Sequence, residues 1–241
     1  MRVLAIVNER EAGPGVFGEA ARDAAHELVE WAAYEATPAP PLDGYGAAMV
    51  LGGGMNVDEE DANPWLRDEK RVIGQLAESG TPLIGMCLGA QLVAEVLGGS
   101  AAPASHPEIG WHDVEMTPAA GDDPVLAALP PRFEAFQWHR YAATPPPGAT
   151  TLASSPVSVQ AYRVRDRTWG IQFHAEVTER DAEIWINDPA SYPDALRHEY
   201  DPPALLAEMR RKIGSWNEVG RGISARFLKT AEAIRASRTQ R

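Results

Sequence analysis

The 241-residue chain contains a single cysteine, Cys87, which excludes an internal disulfide. No apolar run is long enough to span a bilayer, and the start Met1-Arg2-Val3-Leu4-Ala5-Ile6-Val7-Asn8-Glu9 turns acidic too early for a secretory signal. Together these absences predict a cytoplasmic protein. Positive charge is also scarce: Lys+Arg number 22 against 34 Asp+Glu, for a formal net charge of −12. That balance argues against a nucleic-acid partner or an anionic membrane surface. There is no Gly-x-x-x-x-Gly-Lys-Ser/Thr loop, so the chain by itself is not expected to activate an acceptor with ATP. His106, His112 and His139 lack the i, i+4 spacing or cysteine pairing of a zinc site, and the run Asp58-Glu59-Glu60-Asp61 reads as a solvated loop. No metal or other cofactor is expected. Internal repeats and low-complexity linkers are absent too.

What is present suits a globular α/β domain: 44% hydrophobic and 23% charged residues over a length that can bury one core. Apolar strands alternate with helical spacing. Strands are predicted at Val3–Val7, Ala47–Leu51 and Leu83–Met86, and helices at Glu19–Trp31 and Trp65–Ala77. After Gly98-Gly99 the pattern changes to short strands, Trp111–Met116, Arg132–Gln137, Thr150–Ala153, Val159–Arg163 and Thr168–Phe173. These read as a mixed extension of the same sheet, giving a doubly wound, flavodoxin-like α/β fold flanked by helices. From Pro203 onward Leu206, Met209, Ile213, Trp216, Ile223, Phe227 and Ile234 recur near a period of 3.6, with Gly220 and Gly222 expected to break the helix in two. The stripe is expected to pack on the body, a homodimer or partner contact being the alternative. The whole, residues 1–241, is read as one domain with 203–241 as a C-terminal helical extension.

The cysteine stands in a special context. Gly85-Met86-Cys87-Leu88-Gly89-Ala90-Gln91 links the apolar run Pro82-Leu83-Ile84 to a helical pattern, placing Cys87 on a tight strand-to-helix turn. Glycines two positions to either side permit close approach, and a helix N-terminus favours thiolate over thiol. Free cysteine is more often a small buried hydrophobe, but this turn points to a nucleophile. A second segment, Thr168–Phe173, ends in His174-Ala175-Glu176. On an extended chain residues two apart share a face, so Glu176 can orient the His174 imidazole toward the sulfur. The backbone N–H of Leu88, just after the nucleophile, is the first candidate donor to an oxyanion.

With Leu51-Gly52-Gly53-Gly54, these segments make the chain resemble the class I (triad) glutamine amidotransferases. It is most similar to free-standing relatives of the GMP synthase amidotransferase domain, also through Asn63-Pro64-Trp65-Leu66, Glu108-Ile109-Gly110-Trp111 and Phe136-Gln137-Trp138-His139. The resemblance runs from about Ala47 to Glu176. It implies a Cys87, His174, Glu176 triad and a second oxyanion donor at Gly53, and substrate contacts are expected from Gln91, Gly54, Trp138, His139 and Arg140. Hydrolysis of a γ-glutamyl amide through a thioester follows.

Departures from the family pattern are Ala175 and Gly54 where proline is usual, and Arg140-Tyr141 where an acidic residue often follows the histidine. The first two are expected to soften loops without removing a reacting group. Arg140 would repel the α-ammonium of glutamine and attract a carboxylate. Three roles stay open: an amidotransferase subunit passing ammonia to a separate synthase, a self-sufficient γ-glutamyl peptidase or hydrolase, and a non-catalytic binding or regulatory protein. Gly13-Pro14-Gly15-Val16-Phe17-Gly18 fits a dinucleotide fingerprint, but Asn8–Ala12 separate it from the strand and Pro14 occupies the turn, which argues against a nucleotide site.

Overall fold

A computed structural model describes residues 1–188 and 200–239. Its elements are β1 (Arg2–Val7), α1 (Gly15–Asp23), β2 (Glu27–Ala32), β3 (Tyr45–Val50), α2 (Trp65–Glu78), β4 (Leu83–Met86), α3 (Leu88–Val96), β5 (Ser100–Met116), β6 (Arg132–Thr144), β7 (Thr150–Ser154), β8 (Val159–Val164), β9 (Thr168–Ile171), α4 (Glu179–Asn187) and α5 (Pro202–Thr239). They build a 9-stranded sheet in the order β2-β1-β3-β4-β9-β8-β7-β5-β6. The half from β2 to β9 is parallel, and β8, β7, β5 and β6 extend it by antiparallel pairing. The expected mixed α/β sheet flanked by helices is what forms.

Alternation along the buried strands explains the two layers. In β3, Ala47 and Met49 face a core shared with α1 and α5, while Ala48 and Val50 face a core shared with α2 and α3. Strands covered on both faces read as continuous apolar runs, which is why β1, β3 and β4 were visible in sequence. No helix of the described residues is long and apolar enough to cross a membrane.

Several expected boundaries are corrected. Glu19–Trp31 is not one helix: α1 begins at Gly15 and ends at Asp23, and Ala25 at φ 57° turns the chain into β2. Leu28, Val29 and Trp31 then sit on an edge strand paired with β1 alone, where a short apolar run fits helix and strand patterns equally. The strands around Trp111 and Arg132 are longer than expected because β5 and β6 form one long antiparallel pair, with a register shift between Pro103 and Glu108. The tail is one continuous helix of 38 residues, α5, rather than two. Gly220 does not break it. A Cβ there would lie 2.0 Å from the Ala175 carbonyl oxygen, so glycine serves a close approach between α5 and the body. The apolar stripe does pack inward, with Met209, Ile213, Trp216, Ile223 and Phe227 all buried. Residues 240 and 241 of the expected extension lie outside the described residues.

Candidate active site

The carboxyl ends of β1, β3, β4 and β9 are neighbours in the sheet, and each is followed by a residue singled out above or adjacent to one: Asn8, Gly52-Gly53, Cys87 and His174. This is the edge where open α/β sheets bind ligands. Cys87 occupies the turn between β4 and α3 at φ 49°, ψ −113°, a strained conformation for a residue with a Cβ. Its N–H donates to the Ile171 carbonyl at 2.8 Å, tying the turn to β9. The flanking glycines are required by space: a Cβ on Gly85 would meet the Gly89 carbonyl oxygen at 2.5 Å, and one on Gly89 the Val50 oxygen at 2.0 Å. The thiol donates to the Trp138 carbonyl at 3.8 Å.

His174 and Glu176 are brought together as the spacing predicted, Nδ1 to Oε1 at 2.8 Å, with both side chains buried. Burial alone would push the imidazole pKa down. The Glu176 carboxylate and the Cys87 sulfur outweigh it and hold the His174 pKa above the ordinary range.

The segment after the imidazole is clasped from several directions. The His174 N–H donates to Phe136 O at 2.9 Å, and its own carbonyl accepts from Trp216 Nε1 at 2.7 Å. Glu176 O accepts from the Val16 N–H at 2.9 Å, and Val177 O from Asn217 Nδ2 at 2.7 Å. The glycine run that imitated a nucleotide fingerprint thus belongs to this clasp, for a Cβ on Gly15 would strike the Glu176 carbonyl oxygen at 1.9 Å. Ala175, in place of a proline, leaves φ free, and these bonds supply the restraint.

A pocket of about 460 Å³ opens over the cysteine. Gly53, Gly54, Cys87, Leu88, Gln91, Trp138, His139, Arg140 and His174 all line it. Gln91 is buried rather than an exposed first-turn residue, and its amide donates to Tyr141 O at 2.9 Å and to Gln172 at 3.2 Å. His139 is committed to the protein on both ring nitrogens, Nδ1 at 2.9 Å from Tyr141 O and Nε2 at 3.1 Å from Glu108. Gly54 presents its N–H to Glu9 Oε2 at 2.8 Å and its carbonyl to the Arg140 guanidinium at 3.3 Å. The Gly54 N–H is thereby engaged within the protein.

Sequence reasoning missed several lining residues. Glu9, Glu11 and Asp188 bring acid to the pocket that carries Arg140. Burial raises the Glu9 pKa and the Gly54 N–H lowers it, while Glu11 and Asp188 add repulsion, and the net shift is upward. Trp185 of α4 meets the His174 ring edge-on at 4.8 Å and donates to Glu11 O at 3.0 Å. Gly52 lies against the pair, since a Cβ there would be 3.1 Å from His174 Cε1. The available signal was position: Glu9, Glu11 and Gly52 follow the carboxyl ends of β1 and β3. Among the described residues no cluster of three or more His, Cys, Asp or Glu side chains could hold a metal.

The family profile Glutamine amidotransferase class-I matches residues 20–187, and the chain belongs to that family. It is 33% identical over 184 residues to a glutamine-hydrolyzing GMP synthase of Aeropyrum pernix, a match covering 72% of this chain and 35% of that protein. The chain therefore spans about a third of that relative. One subunit of the glutamine-hydrolyzing GMP synthase of Sulfurisphaera tokodaii is 33% identical over 159 residues, covering 63% of this chain and 80% of that relative. Among solved structures, a glutamine amidotransferase from Thermotoga maritima superposes with a TM-score of 0.83 at 29% identity, covering 94% of this chain and 97% of that one.

Proposed function

We propose that the chain is a cysteine-dependent glutamine amidotransferase or glutaminase that hydrolyses a γ-glutamyl amide to glutamate and ammonia. The observation that carries this reading is the meeting in one pocket of Cys87, on a strained turn at a helix N-terminus, with the buried His174–Glu176 pair. With the thiol proton already held on His174 as the imidazolium, the Cys87 thiolate attacks the amide carbon. The carbonyl oxygen becomes an anion received by the N–H groups of Leu88 and Gly53. The C–N bond breaks as the imidazolium gives its proton to the departing nitrogen, leaving a thioester on Cys87. His174 then takes a proton from water, hydroxide adds to the thioester, and glutamate leaves as the thiolate is restored. Glu176 keeps the imidazole oriented and stabilises its cationic form. The chain acts as one domain in this reading, with α5 serving the site. Where the ammonia goes is open to a partner, since a relative matched over most of its length is named as one subunit of GMP synthase.

A second reading, a self-sufficient γ-glutamyl peptidase or hydrolase, is favoured by the pocket wall. Ile109, Trp138, Ile184 and Trp185 line it beside Arg140, a surface suited to an apolar or carboxylate-bearing leaving group. The deciding experiment compares kcat/KM for glutamine and γ-glutamyl dipeptides in the wild type and in Arg140→Ala. Preference for dipeptides, reduced by the substitution, supports the hydrolase, and preference for glutamine supports the ammonia donor. Cys87→Ser is expected to abolish both activities with the fold intact, and a glutamine-like electrophile should label Cys87. Unchanged turnover in Cys87→Ser would remove the mechanism.

A further inference from the structure

One wall of the pocket carries opposite charges on the two sides of a single residue. Glu9, in the loop that follows β1, accepts the Gly54 N–H on Oε2 at 2.8 Å. Arg140, on β6, donates from Nη2 to the Gly54 carbonyl at 3.3 Å. All three line the same cavity as Cys87. The arrangement depends on what stands at position 54, because a proline there would have no N–H to offer the carboxylate. The departures from the family pattern on this wall, Gly54 and Arg140, thus meet in one set of contacts that also fixes Glu9.

That hydrogen bond leaves the carboxylate with capacity to spare, since two oxygens offer about four acceptor sites and Gly54 takes one. The other charges that bear on Glu9 are Glu11 and Asp188, both negative and both on the pocket wall. A cation entering beside Glu9 would relieve that repulsion.

The substrate supplies such a cation. A γ-glutamyl group carries its α-ammonium four bonds from the carbon that Cys87 attacks, a reach of roughly 5 Å. Gly53, whose N–H receives the oxyanion in the mechanism above, directly precedes Gly54, and consecutive Cα atoms lie about 3.8 Å apart. A carboxylate anchored on Gly54 is therefore within range of the α-nitrogen of a substrate whose carbonyl oxygen points at Gly53. Arg140 repels the same ammonium from the carbonyl side of Gly54, which leaves the Glu9 side as its seat. We propose that Glu9 is the counter-ion of the substrate α-ammonium, held in place by the Gly54 N–H, and that it restricts the enzyme to γ-glutamyl compounds with an unblocked α-amino group. This rests on the reading of Cys87, His174 and Gly53 as hydrolytic machinery. It applies to free glutamine and to γ-glutamyl peptides alike, since both keep that group, and it excludes glutamine acylated on its α-nitrogen or embedded in a protein chain.

The test compares glutamine, N-acetylglutamine and glutaramate, which lacks the α-amino group, in the wild type, Glu9→Gln and Glu9→Ala. The wild type should favour glutamine over either analogue by about 100-fold or more in kcat/KM. Glu9→Gln keeps an oxygen for the Gly54 N–H and loses only the charge. It should lower kcat/KM for glutamine about 10- to 100-fold, the range of one hydrogen bond to a charged group, mainly through KM, and shrink the advantage over glutaramate by the same factor. Glu9→Ala, which also frees the Gly54 N–H, should in addition lower kcat for all three compounds. A Glu9 that only braced the loop would leave the glutamine-to-glutaramate ratio at its wild-type value in Glu9→Gln. That result, or wild-type turnover of N-acetylglutamine as fast as of glutamine, would overturn the proposal. Labelling of Cys87 gives a readout independent of turnover: a glutamine-like electrophile bearing an α-amino group should react more slowly in Glu9→Gln, and iodoacetamide, which carries no ammonium, should not. Equal slowing of both reagents, or of neither, strikes this inference alone, and failure of Cys87 to react with either in the wild type strikes the mechanism.

Discussion

At the residue scale the decisive contact is between His174 and Glu176, because it sets how long the imidazole stays cationic as pH rises. The His174 pKa is raised against the pull of burial, so removing the carboxylate removes much of what opposes burial. Glu176→Gln should therefore shift the alkaline limb of kcat/KM to lower pH and reduce kcat less than His174→Ala does. An alkaline limb at wild-type pH would mean that Glu176 does not govern the imidazole. Gly53→Val should cost about 10²-fold in kcat, typical of one lost donor. Its Cβ would press on Met55 Sδ at 2.7 Å and Leu88 Cδ2 at 3.2 Å, so the peptide must move. Normal turnover in that variant would place the second donor elsewhere. The sequence made Cys87, His174 and Glu176 legible because each sits at a punctuated end of an apolar strand. Glu69 was not legible, since a glutamate among Asp68, Lys70 and Arg71 on an amphipathic helix reads as solvated, and only packing against β1 and β3 makes it a buried acid.

At the scale of elements, the least legible contribution came from α5, whose stripe indicated packing but not what it packs against. Trp216 and Asn217 reach the carbonyls of His174 and Val177, and Gly220 lets the helix axis approach Ala175. Glycine inside a helix normally lowers stability relative to alanine by roughly 0.5–1 kcal/mol, and that rule led to the expected break. The two glycines of α5 should now behave oppositely. Gly220→Ala would drive a Cβ into backbone and should destabilise by about 1–3 kcal/mol while lowering turnover. Gly222→Ala, whose Cβ would meet only the Arg226 guanidinium at 3.4 Å, should be neutral or stabilising. Trp216→Phe keeps a ring among Trp111, Phe133 and Phe173 but leaves the His174 carbonyl without its donor. It should reduce kcat more than it changes KM. Denaturant melts and steady-state kinetics on the same preparations check all three, and equal effects of the two alanine substitutions would refute the close-approach account.

At the scale of the whole molecule, what the sequence could not show was strand order. Its local patterns gave β1, β3, β4 and β9, but adjacency of β4 and β9, separated by four intervening strands, arises from closing the antiparallel extension back onto the parallel half. That closure puts Cys87 beside His174, and β1 and β3 bring Asn8 and Gly53 up behind them. Packing of α2 against β1 and β3 buries Glu69, and burial of an acid couples the stability of the entire fold to pH. A carboxyl whose folded pKa lies above its unfolded value binds more protons folded than unfolded, so its contribution is full below about 4.5 and is lost as pH rises toward about 8. The slope is about 1.4 kcal/mol per pH unit, or about 4 kcal/mol between pH 5 and 8. For a chain of this size that corresponds to a Tm shift on the order of 10 °C. His174, also raised, acts in the same direction but is common to wild type and Glu69→Gln and cancels in their difference. Calorimetric melts of both proteins at pH 5 and pH 8 should show the wild type losing ground to Glu69→Gln as pH rises, and parallel Tm curves would show that Glu69 does not carry its proton into the folded interior.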